Sequence, residues 1–242
     1  MTRPSEAVIL MAGEGSRLRG SDKTFLKPFV PVGGRPLISY TLSALLHAGI
    51  RTVNFVVGYE SGRMIEQVKQ LIPFGLSASF IENLHWQKQN GISLLAAAGY
   101  LSKPFLLTMS DHLFDAAVVD RLLDSFDSDF LNIGVDRKLD SIFDLEDAMK
   151  VRTRENRITD IGKKLRYYDA IDIGLFVCPL EIFDYFERAK SRSGTNDCSL
   201  ADGVRLMAGN DKVRAIDIGD GWWQDVDTPS MLRYAERKMS AG

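Results

Sequence analysis

The sequence is poor in cysteine and has no long apolar segment. Its 242 residues include two cysteines, Cys178 and Cys198, and neither belongs to a CxxC or Cys/His cluster, which argues against a disulfide framework or a cysteine-based zinc site. No apolar run reaches the roughly 18 residues of a membrane-spanning helix. The apolar run near the N-terminus is too short for a signal peptide. We therefore expect a cytoplasmic protein without a membrane span.

The sequence also lacks an excess of charge of either sign. Lysine and arginine number 30, aspartate and glutamate number 32, and the formal net charge is -2. Without a block of like charges, a nucleic-acid or membrane-surface partner is not expected, whereas a small anionic ligand needs only a few local basic residues. With a hydrophobic fraction of 45% and no linker, residues 1–242 are expected to form a single domain.

Strand and helix patterns alternate through the first half of the chain. Short apolar runs typical of buried strands occur at residues 7–11, 52–57 and 105–109. The segments between them have the apolar spacing of amphipathic helices, at residues 36–48, 61–71 and 92–101, with another helix at 116–126. This alternation predicts an α/β fold with a mostly parallel sheet flanked by helices.

The second half is less regular. Residues 148–153 and 157–161 flank a polar turn and predict a β-hairpin, and further strands are expected at 171–177 and 213–218. Helices are expected at 179–189 and 199–208, and Thr228-Pro229 has the order of a capping residue and a first-turn proline. The whole sheet is therefore expected to be mixed.

The segment LMAGEGSRLRGSDKTFLKP follows the first strand, where ligands bind in open parallel sheets. Gly13 and Gly15 would let backbone N–H groups approach phosphate oxygens, and Arg17 and Lys27 would add positive charge. The segment lacks the third glycine of GxGxxG and the Walker GxxxxGK[ST] pattern, which disfavours a dehydrogenase or a P-loop protein. On its own, this segment is better explained as a glycine turn with solvated basic residues.

Carboxylates follow in two distant segments. Asp111 comes directly after the strand at 105–109, at the carboxyl end where a metal-bound nucleotide would lie. Asp225 and Asp227 occupy alternate positions, so that both point to one side if the stretch is extended. Combined with the glycine-rich segment, these residues favour a site for phosphate and a divalent metal ion.

Motifs along the chain resemble those of the sugar-phosphate nucleotidyltransferases. GxGxRL, which ends at Leu18, is followed by Lys27-Pro28 and by V-x-G-x-P-L, which ends at Leu37. Further motifs are most similar to the cytidylyltransferase domain that makes CDP-inositol from CTP and inositol 1-phosphate; they are Asn90 to Leu95, Met109 to His112, Ile161 to Arg166, Asp172 to Gly174 and Trp223 to Thr228. The resemblance implies a Rossmann-like, GT-A-type fold and Mg²⁺-dependent transfer of CMP from CTP to a small phosphorylated acceptor.

The resemblance also implies roles for individual residues. Arg17 would counter charge on the leaving pyrophosphate, and Lys27 would stabilise charge on the α-phosphate. Lys163 is expected to meet the acceptor phosphate, with a solvated hairpin lysine as the alternative. Asp172 and Gly174 are expected to contact the acceptor.

The same resemblance implies a metal site and a nucleotide site. Asp111 and Asp225 would hold Mg²⁺, and Asp227 is either a third ligand or the cap of the helix near Thr228. For Asn90-Gly91 the alternative is a tight turn that opens the next helix. The implied nucleotide-binding residues are Leu10, Ala12, Gly13, Glu14, Gly15, Ser16, Asn90, Gly91, Ser93 and Asp111.

Two departures from the family pattern concern the acceptor and the later steps. Residues 19–26 form a longer and more polar segment than in the inositol enzymes. The membrane-embedded second domain of the bifunctional versions is not found in these residues, and we expect any later phosphotransfer to be carried out by another protein. Phosphocholine, a hexose 1-phosphate or a molybdopterin-type acceptor, another base, and a degenerate nucleotide-binding module remain alternatives. The oligomeric state stays open, including a homodimer.

Overall fold

The structure is a computed structural model that describes residues 3–19 and 25–240. Most of the segment that departs from the family pattern, residues 20–24, lies outside the described residues. Within the described ranges, no helix is both long and apolar enough to cross a membrane.

The strands form one large sheet and two small ribbons. In chain order they are β1 (Glu6–Leu10), β2 (Pro31–Val32), β3 (Arg35–Pro36), β4 (Thr52–Val57), β5 (Ser77–Glu82), β6 (Phe105–Met109), β7 (His112–Phe114), β8 (Leu131–Asp136), β9 (Lys150–Arg154), β10 (Arg157–Ile161), β11 (Ala170–Cys178), β12 (Val213–Asp217) and β13 (Trp223–Asp225).

The α-helices connect these strands and cover both faces of the sheet. They are α1 (Ser16–Arg19), α2 (Leu37–His47), α3 (Ser61–Lys69), α4 (Asn90–Ala96), α5 (Ala116–Ser125), α6 (Ile182–Arg192), α7 (Leu200–Ala208) and α8 (Pro229–Ser240). Short 3₁₀ helices occur at Lys27–Phe29, Ala98–Tyr100 and Leu139–Ser141.

The large sheet has the strand order β5-β4-β1-β6-β11-β8-β12-β10-β9. In the first half of the chain, β1 pairs in parallel with β4 and β6, and β4 pairs in parallel with β5. In the second half, β11 is antiparallel to β6, β8 and β9, and only β12 and β8 pair in parallel. The α/β prediction is confirmed, with the parallel part of the mixed sheet confined largely to the first half.

The core lies on both faces of the sheet. Val8 and Leu10 of β1 join the apolar cluster that is covered by α4, α6 and α7. The alternate residues Ala7 and Ile9 join the opposite cluster, which is covered by α2, α3 and α5. A central strand with two buried faces must be apolar throughout, which explains the continuous run at residues 7–11.

The predicted elements are largely present, with shifted ends. The hairpin is confirmed as β9 and β10, and Ser199 forms a capping box with Asp202 at the start of α7. Helix α6 begins at Ile182 rather than Pro179, because residues 179–182 form a turn closed by a hydrogen bond from Ile182 N to Pro179 O. Strand β8 was not predicted.

The small ribbon of β7 and β13 matters most for the site. β13 pairs antiparallel with β7 and sets Asp225 opposite His112. Because β7 follows β6 after a two-residue turn, this pairing brings a segment from near the C-terminus to the carboxyl end of the central strands.

Candidate functional site

The glycine-rich segment packs directly against Lys27. Gly15 has a φ of +65°, and a Cβ added there would lie 2.7 Å from Lys27 Cβ. That distance is too short for non-bonded carbons, so a side chain at position 15 would displace Lys27. Glycine is therefore required both by the backbone conformation and by the close approach.

Lys27 is a buried lysine that binds two carboxylates. It begins the 3₁₀ helix Lys27–Phe29 and is 9% exposed. Its Nζ donates to Asp111 Oδ2 at 2.5 Å and to Asp227 Oδ1. Burial on its own would lower the pKa of Lys27, but the charges of Asp111 and Asp227 outweigh it and raise the pKa. Lys27 is therefore a fixed positive charge at neutral pH.

Asp111 has a second partner, His112. The Nδ1 of His112 and Oδ1 of Asp111 are 2.6 Å apart, and the imidazole stacks against the Trp223 indole at 6.4 Å between ring centroids. Burial favours the neutral forms of both groups, but Lys27 and His112 hold the pKa of Asp111 well below its usual range. Asp111 in turn raises the pKa of His112. His112 thus orients the carboxylate, as expected of a structural hydrogen-bonding residue.

Asp225 and Asp227 lie close together but differ in their partners. Asp225 Oδ1 accepts a hydrogen bond from Gln224 Nε2 at 3.1 Å. Burial, assisted by the charges of Asp227 and Asp111, raises the pKa of Asp225. Asp227 accepts from Lys27 and from Arg17. It does not cap helix α8, because the hydroxyl of Thr228 accepts from Met231 N at 3.3 Å.

All three predicted metal ligands, Asp111, Asp225 and Asp227, line the larger cavity, and their role as metal ligands stays a prediction. In the described part of the chain, no group of three or more His, Cys, Asp or Glu side chains is arranged to hold a metal ion. Both oxygens of Asp227 accept from Lys27 and Arg17, and both oxygens of Asp111 are engaged by Lys27 and His112. A cation contacted by Asp111 and Asp225 would therefore have to compete with Lys27 and His112 for the Asp111 carboxylate.

Arg17 and Lys163 share one further carboxylate, Asp147. Arg17 NH1 donates to Asp147 Oδ2 at 2.8 Å, and Lys163 Nζ donates to Asp147 Oδ1 at 2.7 Å. Arg17 also donates to Asp227. Arg17 was expected to contact the leaving pyrophosphate and Lys163 the acceptor phosphate. Both donate to the same carboxylate, that of Asp147.

Two cavities adjoin at these residues. The smaller has a volume of about 300 Å³ and is lined by the glycine-rich segment and Lys27. The larger has a volume of about 710 Å³ and is lined by Lys163, Asp172 and Trp223, among others. The residues that line both are Arg17, Asn90, Met109, Asp111 and Asp227.

Most of the predicted nucleotide-binding residues line the smaller cavity, but two do not. Glu14 and Gly91 line neither cavity. A Cβ added at Gly91 would lie 2.6 Å from the carbonyl oxygen of Cys198, so this glycine permits close packing of α4 against the start of α7. The residues that do line the smaller cavity are Leu10, Ala12, Gly13, Gly15, Ser16, Asn90, Ser93 and Asp111.

Asn90 and Ser93 have internal partners as well. Asn90 Oδ1 accepts from Leu200 N at 2.8 Å, and Ser93 Oγ accepts from Asn83 Nδ2 at 3.0 Å. Asn90 is also the first residue of α4. Asn90 therefore opens helix α4, as in the alternative explanation, and also lines both cavities.

The predicted acceptor residues Asp172 and Gly174 line the larger cavity. Asp172 Oδ1 accepts from Gly174 N at 2.8 Å. Burial raises the pKa of Asp172 to about 6. This carboxyl group is therefore partly protonated in mildly acidic solution and ionised above neutral pH.

The sequence-based prediction missed several acidic residues of the larger cavity, among them Asp136 and Asp147. Asp136 is the last residue of β8 and accepts from the Trp223 indole Nε1 at 2.9 Å. Recognition of the alternating apolar residues Leu131, Ile133 and Val135 would have revealed another strand-end carboxylate. Asp147 lies in the irregular segment between β8 and β9, where no periodic pattern indicated its position.

Comparison with known proteins gives the family. The profile of the MobA-like NTP transferase domain matches residues 7–137, more than half of the chain. The bifunctional IPC transferase and DIPP synthase of Aquifex aeolicus (strain VF5) is 30% identical over 96% of this chain and 51% of its own length. The protein of the same description from Rubrobacter xylanophilus is 33% identical over 95% of this chain and 51% of its own length.

The chain thus spans about half the length of these curated relatives. Among solved structures, the inositol-1-phosphate CTP transferase from T. maritima is 27% identical, with a TM-score of 0.86 over 100% of this chain and 98% of that one. The predicted resemblance and the nucleotidyltransferase fold are confirmed. The chain belongs to the MobA-like NTP transferase domain family.

Proposed function

We propose that this chain is an Mg²⁺-dependent cytidylyltransferase that transfers CMP from CTP to inositol 1-phosphate or a similar cyclitol or sugar phosphate. The observation that carries the proposal is the meeting of the two cavities at Arg17, Asp111 and Asp227, beside the buried Lys27. A nucleotide in the smaller cavity and an acceptor in the larger one would bring their phosphates together there. The similarity to the T. maritima enzyme supports CTP and inositol 1-phosphate as the substrates.

The smaller cavity suits a triphosphate. Gly13 and Gly15 expose backbone at the carboxyl end of β1, where N–H groups can contact phosphate oxygens without obstruction by Cβ atoms. Arg17 would counter the charge on the β- and γ-phosphates. Asn90 and Ser93 on the same wall would contact the base and ribose.

The reaction is an in-line displacement at the α-phosphorus. An oxygen of the acceptor phosphate forms the new P–O bond, while the bond to the bridging oxygen of pyrophosphate breaks and pyrophosphate leaves with its electron pair. Because the acceptor phosphate is ionised near neutral pH, no general base is needed. Lys27 would stabilise the charge that shifts onto the α-phosphate, so positioning and charge neutralisation supply most of the catalysis.

The donor set fits Mg²⁺. This ion is usually bound by one or two carboxylates together with substrate phosphates, and Asp111 and Asp225 supply two carboxylates beside the proposed phosphate position. The raised pKa of Asp225, caused by burial and by neighbouring negative charge, indicates that a cation there would be stabilised. When bound, Mg²⁺ would supply positive charge that neutralises the substrate phosphates.

The larger cavity suits a hydroxylated acceptor with one phosphate. Lys163 would contact the phosphate, and Asp172 would accept hydrogen bonds from ring hydroxyls. Trp223 provides an apolar wall that is fixed by Asp136 and His112. A volume of about 710 Å³ lies within the range of small-molecule sites.

A substrate panel tests this proposal. CTP, UTP, ATP and GTP are each combined with inositol 1-phosphate, glucose 1-phosphate and phosphocholine, and pyrophosphate release is measured with Mg²⁺. We expect the highest kcat/KM for CTP with inositol 1-phosphate. A higher value for another pair would correct the base or the acceptor. CTP binding without pyrophosphate release in any combination would indicate a degenerate nucleotide-binding module.

A further inference from the structure

Asp147 connects the two halves of the site. It receives hydrogen bonds from Arg17, on the short helix after β1, and from Lys163, in the turn after β10. Arg17 lines both cavities and Lys163 lines the larger one. Asp147 is therefore a shared partner of both cations, and Arg17 has Asp227 as a second carboxylate partner.

The Asp147–Lys163 pair is built on a rigid base. Lys150 is buried, with 8% of its surface exposed. Its Nζ donates to the carbonyl oxygens of Glu146 at 2.9 Å and Lys163 at 3.0 Å. This buried ammonium ties the backbone beside Asp147 to the backbone of Lys163, so the two side chains remain neighbours. Arg17 reaches the same carboxylate from 130 residues away in the sequence.

The ion pairs themselves are exposed and easily exchanged. Arg17 is 53% exposed, Lys163 47% and Asp147 38%. Exposed pairs of this kind contribute little free energy, and a phosphate group presents more negative charge and more acceptor oxygens than a carboxylate. The hydrogen bond from Lys163, together with that from Arg17, lowers the pKa of Asp147. The carboxylate is therefore ionised at neutral pH and competes with a phosphate group for Arg17 and Lys163.

We infer that Asp147 is a displaceable counter-ion, which occupies Arg17 and Lys163 until substrate phosphates replace it. The inference rests on the proposed function for the assignment of these two cations to phosphates. Asp147 acts on the substrates through its partners and is a positioning residue. By competing with substrate anions it weakens their binding, and it keeps the two cations aimed at the junction of the cavities.

Binding of inorganic pyrophosphate to the intact protein tests this inference. Calorimetric Kd values are compared for the wild type, Asp147→Asn and Asp144→Asn at one ionic strength. Asp144 is the matched control, because it lines the same cavity on the same segment and its Oδ1 contacts only backbone, namely Asp147 N at 3.4 Å, among the hydrogen bonds of the described residues. We expect Asp147→Asn to bind pyrophosphate about two- to fivefold more tightly, with little change for Asp144→Asn.

An unchanged or weaker affinity in Asp147→Asn would overturn the inference. Equal tightening in both variants would also overturn it, because the effect would then reflect net charge alone. In steady-state assays the KM for CTP should fall in Asp147→Asn while kcat is kept, whereas a purely structural residue would lower kcat or the melting temperature. Failure of the proposed function would be seen separately, as no CTP-dependent pyrophosphate release by the wild type, and would leave the binding comparison valid.

Discussion

Lys27 Nζ lies 2.5 Å from Asp111 Oδ2, and the two residues are 84 positions apart in the sequence. One begins the 3₁₀ helix after the glycine-rich segment, and the other follows the central strand β6. Their contact joins the proposed phosphate-binding charge to the proposed metal ligand. A bound nucleotide would replace Asp111 as a partner of Lys27, and a bound metal ion would replace Lys27 as a partner of Asp111. Substitution of either residue should therefore affect turnover more than folding.

Replacement of Lys27 should abolish most of the turnover. Lys27→Ala removes the charge proposed to stabilise the α-phosphate, and loss of one such donor costs about a hundredfold or more in kcat. Pyrophosphate release at saturating CTP measures the effect, with circular dichroism as a check on folding. Lys164→Ala, at an exposed lysine outside both cavities, is the control. An effect confined to the acceptor KM would mean that Lys27 contacts the other substrate.

Substitution of Asp225 and substitution of Asp227 should have different effects on the Mg²⁺ concentration that turnover requires. As a proposed ligand, Asp225 should matter for metal affinity, so Asp225→Asn is expected to raise the half-saturating Mg²⁺ concentration by about tenfold or more. Asp227→Asn leaves Lys27 and Arg17 without one partner and should change the KM for CTP instead. Mg²⁺ titrations of turnover separate the two. Equal shifts in both variants would argue for a three-carboxylate metal site.

Gly91 should prove essential for packing. The Cβ of Gly91→Ala would lie 2.6 Å from the Cys198 carbonyl oxygen and 2.9 Å from its sulfur. Such overpacking costs about 1–3 kcal/mol of unfolding free energy. Gly99→Ala, where a Cβ meets nothing within 4 Å, should be neutral. Urea denaturation measures both, and unchanged stability with weaker CTP binding in Gly91→Ala would favour the predicted nucleotide contact.

Asp172 should make stability depend on pH. Because burial raises its pKa in the folded state to about 6, the folded protein retains a proton that the unfolded chain releases near pH 4. Stability from this group is therefore lost as the pH rises from about 4 to about 6, by up to about 3 kcal/mol. Asp172→Asn keeps an acceptor for Gly174 N and removes this loss. We expect urea denaturation to show that the free energy of unfolding of Asp172→Asn increases relative to that of the wild type between about pH 4 and pH 8. A difference that does not depend on pH would contradict the raised pKa of Asp172.

The local patterns of the chain predicted the elements around the proposed phosphate position. The short apolar run at residues 7–11, which stops before Gly13, indicates a strand buried on both faces, and Gly15 after it adopts a positive φ. Asp111 was identifiable because it follows the strand at residues 105–109, and Lys27 because it is a basic residue at the end of the glycine-rich segment, in a Lys-Pro motif that resembles the family's. These inferences require only short-range information, which the sequence contains.

Contacts between distant segments could not be predicted in this way. Asp147 lies on an irregular segment, and its position depends on the buried ammonium of Lys150. The exclusion of Gly91 from the cavity walls depends on the packing of α4 against Cys198. The role of Asp227 was left open between a metal ligand and a helix cap, and its contacts with Lys27 and Arg17 could not be predicted because those residues are distant in the sequence.

The transfer itself is tested most directly by following the α-phosphate. The wild type and Asp111→Asn are incubated with Mg²⁺, inositol 1-phosphate and CTP radiolabelled at the α-phosphate, and the labelled products are separated. We predict that the wild type moves the label into a CDP-linked product with release of pyrophosphate, and that Asp111→Asn does so at least about a hundredfold more slowly. Label that remains in CTP or appears only as CMP, or near-normal transfer by Asp111→Asn, would contradict this mechanism.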